Sequence, residues 1–195
     1  MAKPLNIIFL GISGSGKGTQ IDMILPLLEK RQRNFLIAMG SIMRRLASSD
    51  TDVGTHLSEV LSHGGLAPKP LALALWLNTI AWDLHTDEGM IFDGSPRSVW
   101  EAEALDVILQ FLCRQDSTRV VHIITSLEEI TQRLLKRGRE DDHQQAIEGR
   151  VAFFHNDVVP VVEYYRKNGM LVEINGEQAI SDVHKEIVEK LKLDE

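Results

Sequence analysis

The 195-residue chain has room for one domain with a sizeable core, and 44% hydrophobic with 25% charged residues is ordinary for a soluble globular protein. Its net charge of −7 supplies no basic face for general nucleic-acid or anionic-membrane binding, so neither is expected as a partner. A lone cysteine, Cys113, excludes an intrachain disulfide and a multi-cysteine zinc site; lying in an apolar helical stretch, it is expected to be a small core residue.

The chain opens with MAK and no signal-peptide pattern, and the expected compartment is the cytoplasm. The apolar run Asn6–Leu10 reads as a first strand. It leads into GISGSGKGTQ, Gly11 to Gln20, which fits the phosphate-loop pattern G-x-x-x-x-G-K. Glycines there let backbone N–H groups face a polyphosphate without clashing Cβ atoms. Lys17 adds a point charge, and a helix starting near Lys17 aims its positive end at the same anion. The hydroxyl is displaced by one position: Gly18 follows the lysine and Thr19 comes next.

A second strand, Phe35–Ala38, precedes three helical stretches, roughly Ser41–Ser49, Val53–Ser62 and Pro70–His85. Together they exceed what one crossover needs, which predicts a projecting helical part. The most apolar segment, Leu71 to Trp82, is too short to span a bilayer and contains Asn78 and Thr79; a buried helix is expected.

The third strand, Met90–Phe92, runs into IFDGSPR, Ile91 to Arg97. Asp93 ends an apolar strand beside a phosphate loop, where a carboxylate can hold Mg²⁺ through water; in isolation it would read as a turn cap. Pro96 stiffens the turn and Arg97 can grip a phosphate with a planar fork. The spacing Leu105/Ile108/Leu109/Leu112 predicts a helix before a fourth strand, Val120–Thr125. RLLKRGREDD then places Arg133 and Arg137 on one helix face, Arg139 beyond Gly138, and acids at Asp141 and Asp142. Arg150 follows, and Leu171–Ile174 reads as a fifth strand.

This alternation predicts an α/β fold, a parallel sheet of about five strands flanked by helices, with ligands at the carboxyl ends of the strands. No internal repeat or domain-sized linker interrupts it. The seven histidines show no metal-ligand spacing and read as structural or surface groups. Runs of arginine are more often solvated surface than site. Here Lys17, Arg44, Arg97, Arg133, Arg137, Arg139 and Arg150 are available to one multiply charged ligand pair, which suits phosphoryl transfer.

Over nearly its whole length the chain resembles the adenylate kinase family of nucleoside monophosphate kinases. The resemblance rests on GISGSGKGTQ, MGSIMRR (Met39–Arg45), GGLAP (Gly64–Pro68), DGSPRSVWEAEAL (Asp93–Leu105), RLLKRGREDD and VVPVVEYYRKNGMLVEING (Val158–Gly176). It implies a P-loop NTPase-type sheet and Mg²⁺-dependent, reversible transfer of the γ-phosphoryl group of ATP to a nucleoside monophosphate, AMP by default. It further implies a monomer without structural zinc. Residues 1–195 would be a single domain, with core 1–38 and 86–195, a monophosphate-binding insertion at about 39–85, and a very short lid at about 138–142.

The resemblance also implies roles. Gly14, Ser15, Gly16, Lys17, Gly18 and Thr19 would wrap the ATP phosphates, with Arg133 over the ATP base and Gln178 also in the ATP site. Met39, Gly40, Arg44, Gly65, Leu66, Ala67, Gly94, Arg97 and Glu101 would bind the monophosphate, with Arg139 and Arg150. Lys17, Arg97, Arg137, Arg139, Arg150, Asp141 and Asp142 would serve the transfer. Asp93 would position hydrated Mg²⁺, with Thr19 as a further candidate. A lid this short predicts some ATP hydrolysis without acceptor.

Several positions depart from the family pattern: Met39 for threonine, Ser41 for aspartate, Ala67 for valine, Ser95 for phenylalanine, Ser13 for proline and Glu101 for glutamine. A glutamine amide can donate to adenine N1 and accept from N6, whereas a carboxylate only accepts and suits the two donors of guanine. Alternatively Ser98 and Glu101 form a capping box, S-x-x-E, with no role in base choice. A GTPase would need an N-K-x-D motif, which is absent. A nucleotide sensor without transferase activity stays open, motivated by the altered base pocket, although the cations are all retained.

Overall fold

The computed structural model describes residues 3–139 and 142–193; Asp141, assigned above to the transfer, lies outside them. Five parallel strands, β1 (Asn6–Leu10), β2 (Arg33–Ala38), β3 (Glu88–Asp93), β4 (Thr118–Ile124) and β5 (Leu171–Asn175), form one sheet in the order β2-β3-β1-β4-β5. Helices fill the connections: α1 (Lys17–Leu28), α2 (Met39–Ala47), α3 (Asp52–Ser62), α4 (Lys69–Asp83), α5 (Val99–Phe111), α6 (Leu127–Arg137) and α7 (Gln144–Phe153). A π-helical turn (Phe154–Val158) then leads into α8 (Val159–Lys167), and α9 (Ile180–Leu191) follows β5.

The central strand is buried along all five residues, as a parallel strand covered on both faces must be. Alternation sends its side chains to two cores. Ile7 and Phe9 join Ile21, Ile24 and Leu28 of α1 and Ile187 of α9, while Ile8 and Leu10 join Trp76 of α4, Leu105 of α5 and Tyr165 of α8.

The strands run longer than the apolar runs suggest. β2 begins at Arg33 rather than Phe35 and β3 at Glu88 rather than Met90, because ladder pairing of Arg33 with Glu88 and Asn34 with Gly89 carries these polar ends. An ion pair between Arg33 and Glu88, 2.9 Å, closes that edge.

Two expectations are corrected. Cys113 is exposed, with φ 55°, because α5 ends at Phe111 and the thiol falls in the following turn rather than in the core. The helix over Leu71–Trp82 is buried along one stripe only, Ala72, Trp76 and Ile80, and Trp82 is 81% exposed; α4 packs on the sheet side and faces solvent on the other. Among the described residues no helix is long and apolar enough to cross a membrane.

The connections after β1 and β3 leave these neighbouring strands in opposite directions, one toward β2 and the other across to β4. Such a divergence opens a crevice at the carboxyl ends of the strands. Asp93 pairs in register with Phe9, so the tip of β3 stands level with the start of the phosphate loop.

Candidate active site

The loop after β1 needs its glycines. Gly14 and Gly16 have φ of 91° and 99°, and a Cβ on Gly11 would lie 2.7 Å from the Ser15 hydroxyl oxygen and 2.9 Å from the Ile123 carbonyl. Gly16 caps α1 in the left-handed conformation without a side-chain cap, which leaves the N–H groups of the first turn for an anion. Lys17 folds back over the loop and donates to the carbonyls of Gly11 (2.7 Å) and Ile12 (2.9 Å). Burial lowers its ammonium to about 8; Asp93 opposes this, while Arg97 and Arg137 push the same way.

After β3, Gly94 turns at φ 74° and its carbonyl accepts from Arg97 Nε at 2.6 Å, which aims the guanidinium into the crevice. Burial lowers the Arg97 pKa as well, against the pull of Glu101 and Asp93. Ser98 caps α5: its hydroxyl accepts the Glu101 N–H at 3.3 Å, and Glu101 Oε2 accepts the Arg97 N–H at 3.1 Å. Of the capping box expected from S-x-x-E, the Ser98 half is formed; the Glu101 carboxyl reaches back to the N–H of Arg97, one residue before the cap, rather than to that of Ser98.

From the opposite wall come α6 and α7. Arg137 donates to Asp142 through Nε (2.8 Å) and Nη2 (2.7 Å), and Arg150 Nη1 reaches the same carboxylate at 2.9 Å. The Arg139 N–H also bonds it, at 3.2 Å. Burial would raise the Asp142 pKa, but these donors outweigh it and hold the carboxyl at about 2. Arg133 is fixed by Glu129 (2.7 Å) and by the Gly176 carbonyl (2.9 Å).

These groups line one cavity of about 1780 Å³. A single small-molecule site typically occupies roughly 300–1,000 Å³, so the space suits two nucleotides better than one. Of the residues singled out from the sequence, Gly14 to Thr19, Gly40, Arg44, Gly65, Leu66, Asp93, Gly94, Arg97, Arg133, Arg137, Arg139, Arg150 and Gln178 line it. A Cβ on Gly40 would meet the Arg44 guanidinium at 3.3 Å, so this glycine lets Arg44 lie flat on the backbone. Asp142 sits behind the arginines, with its side chain fully buried. Met39 is 1% exposed in the core and does not line the cavity.

A smaller pocket of about 270 Å³ adjoins it, lined by Ala67, Leu66, Glu101 and Arg97, and also by Lys69 and Asp157. Lys69 Nζ and Asp157 Oδ1 pair at 2.8 Å. The sequence gives no local signal for this pair, since its members come from α4 and from the distant π-helical turn.

The loop after α3 rests on α7. A Cβ on Gly64 (φ 72°) would stand 2.6 Å from the Ala146 carbonyl oxygen. His143 Nδ1 caps α7 by accepting from the Ala146 N–H (3.3 Å), so its Nε2 carries the proton and donates to the Ser62 carbonyl (3.1 Å). The helical stretch before β3 and the segment after α6 thus meet over the cavity.

Comparison with known proteins agrees with this geometry. The family model described as adenylate kinase matches residues 9–170. The chain belongs to the adenylate kinase family. It is 35% identical to an adenylate kinase of Azobacteroides pseudotrichonymphae genomovar. CFP2, over 96% of this chain and 97% of that protein. An adenylate kinase of Bacteroides fragilis (strain YCH46) is 33% identical over 94% of this chain and 96% of its own, and one of Hyphomonas neptunium 31% over 96% and 98%. The enzyme is a phosphotransferase of the nucleoside monophosphate kinase class, built on the P-loop α/β fold that the sequence predicts. The phosphate loop, Gly11 to Lys17, lies within the matched region.

Proposed function

We propose that the chain catalyses reversible, Mg²⁺-dependent transfer of the γ-phosphoryl group from ATP to AMP, ATP + AMP = 2 ADP. The observation that carries this reading is the convergence of Lys17, Arg97, Arg137 and Arg150 on one cavity large enough for both nucleotides. In the transfer, the bond from the γ-phosphorus to the β-phosphate oxygen breaks and a bond to an AMP phosphate oxygen forms. The acceptor oxygen is already anionic, so no general base is required. Catalysis then reduces to positioning and to fixed positive charge.

In this reading the loop N–H groups and Lys17 hold the ATP phosphates, Arg133 lies over the ATP base with Gln178 nearby, and Arg44 and Arg97 hold the AMP phosphate. Arg137, Arg139 and Arg150 neutralise the transferring group. Asp142 keeps two of these guanidiniums together before substrate arrives, which avoids reorganisation during the reaction.

Asp93 and the Thr19 hydroxyl would hold Mg²⁺. The donor set fits: Asp93 and Thr19 both bring oxygen donors to the cavity lining, and Mg²⁺ characteristically uses one or two carboxylates, water and substrate phosphates. When bound, the ion neutralises charge on the phosphate oxygens. Asp93 additionally opposes the loss of the Lys17 proton.

Glu101 favours a second reading, in which GMP is the acceptor, because an ionised carboxylate matches two guanine donors. We also propose a monomer working in the cytoplasm. The test is ADP formation from ATP with AMP, GMP, CMP and UMP in turn. AMP as the fastest acceptor is expected; transfer to none would support a nucleotide sensor instead.

A further inference from the structure

The small pocket beside Arg97 has apolar walls, among them Met43, Ala67 and Phe153, and one deeply buried carboxyl, Glu101, at 1% exposure. Its two oxygens are not equivalent. Oε2 accepts the Arg97 N–H at 3.1 Å, whereas Oε1 has the Ser98 hydroxyl at 3.4 Å. An oxygen that accepts a backbone N–H on a neutral acid is the carbonyl oxygen, so a proton on this group belongs on Oε1. The Ser98 hydroxyl oxygen accepts the Glu101 N–H, and its own hydrogen can still rest on a lone pair of a protonated Oε1.

The surroundings bear on the protonation state from several elements. Burial favours the neutral acid and is the largest influence, raising the carboxyl above its ordinary range. The Arg97 N–H and guanidinium, the Ser98 hydroxyl and the Lys69 ammonium favour the anion. Asp157 from the π-helical turn pairs with Lys69 at 2.8 Å and offsets its charge.

A neutral carboxylic acid presents one donor and one acceptor side by side, which is the complement of adenine N1 and N6–H₂. An anion presents two acceptors, the complement of guanine N1–H and N2–H₂. We propose that Glu101 engages the adenine edge of AMP as the neutral acid, Oε1–H donating to N1 and Oε2 accepting from N6, so that AMP binding takes up a proton that GMP binding does not need. This rests on the reading of the pocket as the acceptor-base site. The substitution of a carboxyl for an amide thus leaves AMP a substrate and makes the choice of acceptor depend on pH.

The ratio of KM for AMP to KM for GMP follows the ratio of anion to acid on Glu101, and so rises about tenfold per pH unit. The substrate phosphates titrate near about pH 6, equally for both acceptors, and cancel in this ratio. The experiment measures both KM values between about pH 5.5 and 8.5 for the native enzyme and for Glu101→Gln, which retains a capping-box side chain. The native ratio is expected to climb and the variant ratio to stay flat. Titration calorimetry of AMP in two buffers of different ionisation enthalpy at about pH 8 is expected to show uptake of about one proton more per AMP in the native protein than in Glu101→Gln, which cancels any contribution from Lys17. A flat native ratio, an equal slope in the variant, or no excess proton uptake overturns the proposal while leaving AMP transfer standing. No transfer to AMP or GMP at any pH overturns the acceptor-site reading and this proposal with it.

Discussion

Asp142 and Arg137 face each other across the short link between α6 and α7, joined by two parallel hydrogen bonds of 2.8 and 2.7 Å. The same carboxylate holds Arg150, so one buried anion positions two cations from different helices. Asp142→Asn keeps the shape and removes the charge. Breaking a buried pair from one side costs about 3–5 kcal/mol, and the low end applies here because Arg137 is 30% exposed. Urea denaturation at neutral pH is expected to show that loss, accompanied by a fall in kcat larger than any change in KM.

The same residue predicts an acid limb. Its carboxyl lies at about 2 in the fold against an ordinary 3.8, so its contribution is full above 3.8 and is lost as pH falls through about 2. Native protein should lose stability steeply across that window, and Asp142→Asn less steeply. Identical acid limbs would show that Asp142 is not the anion that matters.

Lys17 works in the opposite sense. Burial holds its ammonium at about 8, below the ordinary 10.5, so the fold carries a penalty below pH 8 that is relieved between 8 and 10.5. A bound polyphosphate stabilises the charged form. ATP affinity is therefore expected to be flat below pH 8 and to weaken above it, with proton uptake on binding. Lys17→Met should bind ATP more weakly with no such slope, and should melt at a higher temperature than the native protein near neutral pH. Calorimetry across pH checks the first and thermal denaturation the second.

Much of this was legible in the sequence because it is local. G-x-x-x-x-G-K, S-x-x-E and the run Arg133 to Arg139 each specify a loop, a cap or a helix face within a few residues, and the apolar runs mark all five strands. Contacts between distant segments were not legible. Lys69 with Asp157, and Gly64 on Ala146, depend on how the segment from the loop after α3 to the start of α4 comes against α7 and the π-helical turn. Cys113 and Trp82 were misplaced for a related reason: apolar content does not reveal where a helix ends or which stripe of it faces the core.

Gly64 offers a direct test of the contact between the loop after α3 and α7. Alanine there would require a strained left-handed residue and would place its Cβ 2.6 Å from the Ala146 carbonyl oxygen. At about 1–2 kcal/mol, Gly64→Ala is expected to weaken AMP binding by about 5- to 30-fold and to leave the ATP Kd unchanged. Equal weakening of both ligands, measured by calorimetry, would contradict a contact that serves the acceptor side.

A very short lid at about 138–142, expected from the sequence, would leave the arginines to exclude water. ATP alone is expected to be hydrolysed slowly but faster than in buffer, and addition of AMP should suppress phosphate release. A rate equal to the uncatalysed background would show that the short link seals the site.

The central claim is that fixed cations hand a phosphoryl group from one nucleotide to the other. It is tested most directly by incubating the enzyme with γ-labelled ATP, unlabelled AMP and Mg²⁺, and following the label. The account predicts label at the β-position of ADP formed from AMP, with the rate in Arg97→Met and Lys17→Met reduced by at least about 100-fold. Label appearing only in inorganic phosphate, or transfer undiminished in both variants, would contradict it.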